Sequence, residues 1–388
     1  MMIEPKLRFK ADDGSDFPDW EEQKIEDVCV LNPRTEQLDD EFYYMDLGSI
    51  DHGRWEAPEI VNKVDAPSRA QRVAAIDDVF FQSVRPYNMG HYHYVAAKDK
   101  QVVASTGYIQ ARMRNGSNAF LYQLFYEERF NAEVNARCTG SNYPAINSRK
   151  FGEITVALPS LPEQRKIADL LSAVDDVIAA QEAEVAAWEK RKKGVMQKLF
   201  SQEVRFKADD GSDFPDWEEK TLGDICMYER QRSEGANFVG TENMLKDFGG
   251  VTFDNSNADG SGTLYHPGDT LMSNIRPYLK KAWLADRKGT CSTDVLVFHP
   301  TSVEPGYLYW LIASDAFVRY VMSAAKGSKM PRGDKKHIME MPLLLPNKDE
   351  QRKIDDCLSS LNDVIIKAKN ELAKWQELKK GLLQQMFV

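Results

Sequence analysis

No apolar run in this sequence approaches the roughly 20 residues that a bilayer-spanning helix needs. The opening Met-Met-Ile-Glu-Pro-Lys lacks the apolar stretch of a secretory signal. Cysteine is scarce. Cys29, Cys138, Cys226, Cys291 and Cys357 are scattered, odd in number and without any Cys-x-x-Cys spacing, which predicts reduced thiols in a cytoplasmic protein. Missing too are a G-x-G-x-x-G fingerprint and a G-x-x-x-x-G-K-[ST] phosphate loop. So are the Asn-Pro-Pro-Tyr/Phe and Asp-Pro-Pro-Tyr motifs of amino-group methylation. These gaps predict a non-catalytic chain with no cofactor of its own. A basic surplus is also absent: net charge is −10, where nucleic-acid binders usually carry a positive footprint. The charge is unevenly spread. Residues 30–158 carry −2 and residues 227–344 carry +1, so most of the acidity lies outside them and either stretch can still present a basic face. At 388 residues and 42 % apolar content the chain can build two or three cored domains.

What is present is a helix that occurs twice. Its copies open Glu163-Gln164-Arg165-Lys166-Ile167 and Glu350-Gln351-Arg352-Lys353-Ile354, run to Phe200 and Phe387, and keep an offset of 187 residues without a gap. In the first, Ile167, Leu171, Val174, Ile178, Gln181, Val185, Trp188, Lys192, Val195 and Leu199 step by four and three. In the second, Ile354, Leu358, Leu361, Ile365, Ala368, Leu372, Trp375, Lys379, Leu382 and Met386 do the same. A 3.5-residue repeat sustained this long is the seam of a coiled coil. At about 1.5 Å per residue each rod spans roughly 55 Å. Ser160 and Asn347 stand three residues before Glu163 and Glu350, the spacing of a capping box. Pro162 falls in the first turn, where a missing N–H costs nothing. Lys192 and Lys379 break the seam near the helix C-termini, and are expected to reach back to water there. Gln181 leaves open whether a polar seam residue sets the register. Trp188 and Trp375 face either the other rod or a partner protein.

A second repeat precedes each globular part. Residues 8–22, RFKADDGSDFPDWEE, recur unchanged at 205–219. The run is acidic and rich in turn formers, as a linker is. Its Asp-Asp-Gly-Ser-Asp lacks the spacing and the closing Glu of a calcium loop. Residues 30–158 alternate short apolar runs with turns: 42–50, 79–84, 92–97, 102–106 and 108–113 have strand lengths. Residues 119–134 have helical spacing, and 154–158 form a strand feeding the first rod. Residues 227–344 repeat the plan with little identity: a strand over 269–273, a helix over 307–322, and a strand over 341–345 before the second rod. Both parts keep Arg-Pro-Tyr (Arg85 and Arg276) and a Gly-Ser-x-x-Pro loop (140–144 and 327–331).

The predicted fold is α+β: two globular, mixed α/β parts and two long helices in an antiparallel coiled coil, with an internal pseudo-two-fold repeat. The expected boundaries are 1–158 for linker and first globular part, 159–200 for the first rod, 201–344 for linker and second globular part, and 345–388 for the second rod. The order reads as a ring of two units opened between the second rod and the first linker, so the termini are expected to lie together.

Two dissimilar globular parts, each followed by a near-identical helix, resemble the specificity (S) subunit of type I restriction–modification systems. The resemblance covers the whole chain. It is carried by Leu158-Pro159-Ser160-Leu161-Pro162-Glu163 with its repeat at 345–350, by the Glu-Gln-Arg-Lys-Ile openings, by Phe17-Pro18-Asp19-Trp20, and by the shared Arg-Pro-Tyr. It implies that each globular part is a target recognition domain reading one half of a bipartite sequence in double-stranded DNA. It further implies that the paired helices set the spacer, that helices and linkers hold two modification (methyltransferase) subunits, and that restriction (translocase/nuclease) subunits join them. No membrane association is implied. The rival readings are a coiled-coil assembly scaffold that reads no DNA, and a fused methyltransferase, for which no cofactor site is left.

Contacts to DNA are expected from polar, basic and aromatic loop residues. In the first head these are Arg85, Tyr87, Asn88, His91, Arg112, Arg114, Ser141, Asn142 and Tyr143. In the second they are Asn274, Arg276, Tyr278, Lys280, Lys281, Ser328, Lys329 and Arg332. Arg suits guanine, Asn suits adenine, and Lys and Ser suit phosphate. Arg-Pro-Tyr and Gly-Ser-x-x-Pro occur in both heads, so a phosphate clamp or a fold element suits them better than base reading. Among the six histidines (His52, His91, His93, His266, His299, His337), His91 and His93 would share a strand face. No cysteine or carboxylate cluster accompanies them, which disfavours a metal.

Overall fold

The computed structural model describes residues 5–35, 37–51, 53–253 and 260–387; His52 and the first four residues lie outside them. The chain divides into two units, residues 1–183 with 369–388, and residues 184–368. The first rod is the helix Leu161–Phe200 and the second is Lys348–Met386. Each unit therefore holds the first half of one rod and the last half of the other.

In the first unit, Lys379 Nζ lies 2.6 Å from Asp175 Oδ1, and Gln376 Nε2 donates to Glu182 Oε1 at 3.4 Å. Residue numbers rise on one rod as they fall on the other, so the two run antiparallel. The second unit repeats this with Lys192 Nζ donating to Asn362 Oδ1 at 2.9 Å. Every predicted seam position is buried or half-buried. The sequence reading expects the seam lysines to reach back to water, and they do not. Lys379 is 16 % exposed beside Asp175, and it and Lys192 lie over the rings of Tyr126 and Trp310. A carboxylate or amide on the facing rod and an aromatic ring on the head give the ammonium better company than the helix end does.

The rods are built into the heads. In the first unit Ile167, Ala168 and Leu171 share one core with Leu383, Met386 and Phe387, with Phe120, Leu121 and Leu124, and with Val156 and Leu158. In the second, Ile354, Leu358 and Leu199 share a core with Leu222, Tyr307, Leu308 and Phe317. The linker strand Glu21–Lys24 pairs antiparallel with Thr155–Leu158, and Glu218–Thr221 with Pro342–Leu345. Each linker thus closes onto the strand that feeds its rod. Leu7 N donates to Gln385 O at 2.9 Å, so residues near the two ends of the described chain meet, in line with the ring reading.

Each head holds a four-stranded antiparallel sheet. In the first head its order is Cys29–Leu31, Tyr108–Met113, Asp78–Gln82, Tyr92–Tyr94; in the second, Cys226–Tyr228, Val295–Pro300, Thr270–Ser273, Ala282–Leu284. A further sheet has four strands in the first head, where Glu41–Met45 and Val102–Ser105 run parallel, and three in the second. The expected strand over 42–50 stops at Met45 and resumes only at Ile50–Asp51.

Two local expectations are corrected. The helices predicted over 119–134 and 307–322 are each two: Asn118–Leu124 with Glu128–Arg137, and Pro305–Ile312 with Asp315–Ser323. The breaks lie where Glu127 accepts from Arg129 N and Phe130 N, and Ser314 accepts from Phe317 N. An N-cap inside an apolar period stops the helix while the period continues. The capping boxes also fail to close. Asn347 accepts from Glu350 N at 2.9 Å, but Ser160 Oγ is buried without a partner. Neither glutamate reaches back to its cap, because both carboxylates are fully buried and turned to the linker. Arg8 grips Glu163 with Nε and Nη2 at 3.0 and 2.9 Å, and Arg205 grips Glu350 at 3.1 and 2.7 Å.

Candidate nucleic-acid interface

In both heads the strand that ends in Gln82 or Ser273 runs into an arginine with left-handed backbone, Arg85 (φ 52°) or Arg276 (φ 50°). Proline then opens one tight helical turn, Pro86–Asn88 or Pro277–Leu279, and Met89 and Lys280 are left-handed again. A non-glycine residue holds this conformation only where its surroundings impose it. Those surroundings are visible. Arg85 N donates to Pro144 O at 2.7 Å and Arg276 N to Pro331 O at 2.8 Å, which ties each turn to the Gly-Ser-x-x-Pro loop. Gln82 bridges the flanks of the first turn, accepting from Gly90 N and donating to Val84 O, both at 2.9 Å. Ser273 donates to Ile275 O at 3.0 Å in the second. The loops are closed hairpins: Thr139 and Ala145 exchange backbone bonds, as do Lys326 and Arg332. Their glycines need positive φ (98° at Gly140, 100° at Gly327), and a Cβ there would come within 3.1 and 3.2 Å of a backbone oxygen.

The turn and loop bring together most of the predicted contacts of the first head. Tyr87, Asn88, Ser141, Asn142 and Tyr143 are exposed, and the Arg85 guanidinium lies 4.2 Å from the Tyr143 ring centroid. In the second head Arg276, Tyr278, Ser328, Lys329 and Arg332 are exposed at the equivalent place. Several others already hold internal partners. Lys280 pairs with Asp315 at 2.8 Å, Arg332 with Asp294 at 3.0 Å, and Lys281 donates to Thr241 O at 2.7 Å. Hydrogen bonds from Lys193 and Lys280 pull the Asp315 carboxyl down to about 2. Burial, with the charges of Lys246 and Arg276, lowers the Lys281 ammonium. Asn274 is buried, and its Oδ1 has no partner.

Three predicted contacts of the first head are not brought to the turn and loop. His91 is fully buried, stacked on Phe81 at 4.3 Å, and its Nδ1 accepts from Gln82 N at 3.1 Å. Burial drives its pKa down to about 3, so it is a neutral core residue and not a DNA contact. His93 is separately engaged with Asp77 at 2.7 Å. Arg112 and Arg114 sit at the other end of the sheet. Tyr108 pairs with Gln82 beside the turn, whereas Ala111 pairs with Val79, and Arg112 holds the buried Asp78 at 2.7 Å. Sequence reasoning missed Gln82 and Ser273, the residues that set the turn. A polar residue closing the apolar run Val79-Phe80-Phe81 was the available signal.

Paired rods, each entering a head whose loops are braced around a cationic turn, define a two-headed specificity subunit. The chain belongs to the type I restriction–modification family: the description "Type I restriction modification DNA specificity domain" matches residues 18–187 and again 215–375. It is 22 % identical to the type I restriction enzyme MjaVIII specificity subunit of Methanocaldococcus jannaschii over 322 residues, 74 % of each chain. It is 23 % identical to the EcoDI specificity subunit of Escherichia coli over 324 residues, 69 % of each. Its fold matches that of the type I S subunit from M. genitalium with a TM-score of 0.59 at 15 % identity, covering 100 % of this chain and 99 % of that one. A chain from a study of type I complex assembly and conformational transition matches at 0.56 and 22 % identity, with 95 % and 98 % covered. Among the described residues no helix is long and apolar enough to cross a membrane.

Proposed function

We propose that each head reads one half of a bipartite site in double-stranded DNA, while the paired rods set the spacer between the halves. In this reading the rods and linkers dock two modification subunits in the cytoplasm, restriction subunits join that complex, and the chain itself catalyses nothing. Residues 1–158 and 201–344 each join a linker to a reading head that precedes its rod, and the heads, 30–158 and 227–344, act as exchangeable modules.

One observation carries the reading: what the two units keep and what they change. The ion pairs that clamp linker on rod are repeated in both units. Arg8–Glu163 answers to Arg205–Glu350, and Lys166–Asp12 to Lys353–Asp209. Two docking places for one kind of partner require that sameness. The loop faces beside the two turns differ just before their tips, Asn142 against Lys329, as two heads with different half-sites require. Arg85 and Arg276, alike in both heads, serve as phosphate clamps, and Asn88, Asn142 and Lys329 as readers. Lys280, Lys281 and Arg332 shape the second surface through their internal partners. Half-sites on one face of B-DNA lie about 34 Å apart or a multiple of it, and a 40-residue helix is about 60 Å long.

The test is a binding titration of the chain with its modification subunits. The duplexes carry the mapped target, the target with either half scrambled, and unrelated DNA. Tight binding should need both halves. Equal binding to all of the duplexes would leave the chain a scaffold.

A further inference from the structure

We propose that Tyr143 and Met330, at the tips of the two loops, are wedges that enter the base stack of the DNA each head holds. The proposal rests on the DNA-reading function above and assigns it a mechanical step. Both side chains are large, apolar-bodied and open to water: Tyr143 is 65 % exposed and Met330 49 %. One exposed apolar residue needs no explanation. The same position in two otherwise divergent heads does, because the residue before it changes from Asn142 to Lys329 while bulk and exposure at the tip persist.

The mounting also suits a wedge, which must not fold away under load. Each tip stands on a hairpin closed by two backbone hydrogen bonds, turned by a glycine at positive φ and tied through the next proline's carbonyl to the arginine turn. In the first head the guanidinium of Arg85 backs the Tyr143 ring at 4.2 Å, which puts a phosphate-seeking cation at the base of the wedge. Proteins that insert an apolar side chain at a base step partly unstack it and kink the duplex by roughly 20–90°, and methionine is among the residues used. An aromatic ring offers stacking in exchange for the lost base contact. The two tips therefore act alike on the duplex though they differ in chemistry.

The experiment uses the full chain with its modification subunits and duplexes carrying the mapped target. 2-Aminopurine is placed singly at successive steps, avoiding the methylated adenine, whose extrusion would give a signal of its own. The wild type should brighten one step in each half. Tyr143→Ala should abolish the signal in the first half only, and Met330→Ala in the second only. Tyr143→Phe should keep it. Each alanine variant should bind roughly 5- to 100-fold more weakly, with an unchanged melting temperature. A bound wild-type complex without brightening, or a signal that survives both alanine substitutions, overturns the wedge and leaves DNA reading intact. No binding of the target duplex by the wild type overturns both.

Discussion

His91 shows how burial decides a residue's chemistry. Its imidazole is neutral in the folded chain, with a pKa of about 3, against roughly 6.5 when unfolded. Below about pH 6.5 the unfolded chain takes up a proton that the folded chain refuses. Stability is therefore lost as pH falls from 6.5 towards 3, at up to about 1.4 kcal/mol per pH unit. His91→Phe should flatten that acid slope in thermal melts, although its baseline drops because Gln82 N loses its acceptor. A slope equal to the wild type's would mean that His91 is not the buried base. At the same scale, Arg276→Ala should weaken binding equally for target and unrelated DNA, and lower the dependence of log K on log salt by about 1. A change confined to one base of the target would make Arg276 a reader. The sequence offered both His91 and Arg85 as contacts to DNA, because a polar ring on a strand and an arginine beside a proline give no sign of which one is buried. Only the packing of Phe81, Phe125 and Tyr126 around the imidazole separates them.

At the scale of elements, the rods were the most legible part of the chain, because a 3.5-residue period needs no tertiary information. Their attachment was not legible. Glu163 and Glu350 occupy capping-box positions, yet each serves a linker arginine about 150 residues away in the chain. A buried carboxylate that loses its partner costs about 3–5 kcal/mol. Arg8→Ala should therefore lower the melting temperature sharply. Arg205→Ala should cost less, because Trp217 Nε1 still donates to Glu350 at 2.9 Å, whereas Trp20 Nε1 has no partner. Equal losses would show that the tryptophan bond contributes nothing. In the seam, Lys379 faces Asp175 but Lys192 faces Asn362. Asn362→Asp should turn the second contact into an ion pair, worth up to about 1 kcal/mol and weakened by salt. A lower melting temperature at low salt would contradict it. The split helices were hidden for a related reason: Glu127 and Ser314 act as caps at positions where the apolar period gives no sign of stopping.

For the whole molecule, repetition spoke more clearly than composition. A net charge of −10 argued against DNA, and only the separate tallies of the two heads removed the objection. Identity between the linkers and between the rod openings marked what is held in common, and the divergence of the heads marked what is read. Each head, in this picture, reads its own half-site. The most direct measurement is adenine methylation mapping in cells carrying this chain and its modification subunit, before and after residues 227–344 are exchanged for the second head of another family member. A split motif is expected, in which the exchange alters one half and leaves the other half and the spacer unchanged. Methylation that is absent with the native chain, or that keeps its motif after the exchange, would contradict it.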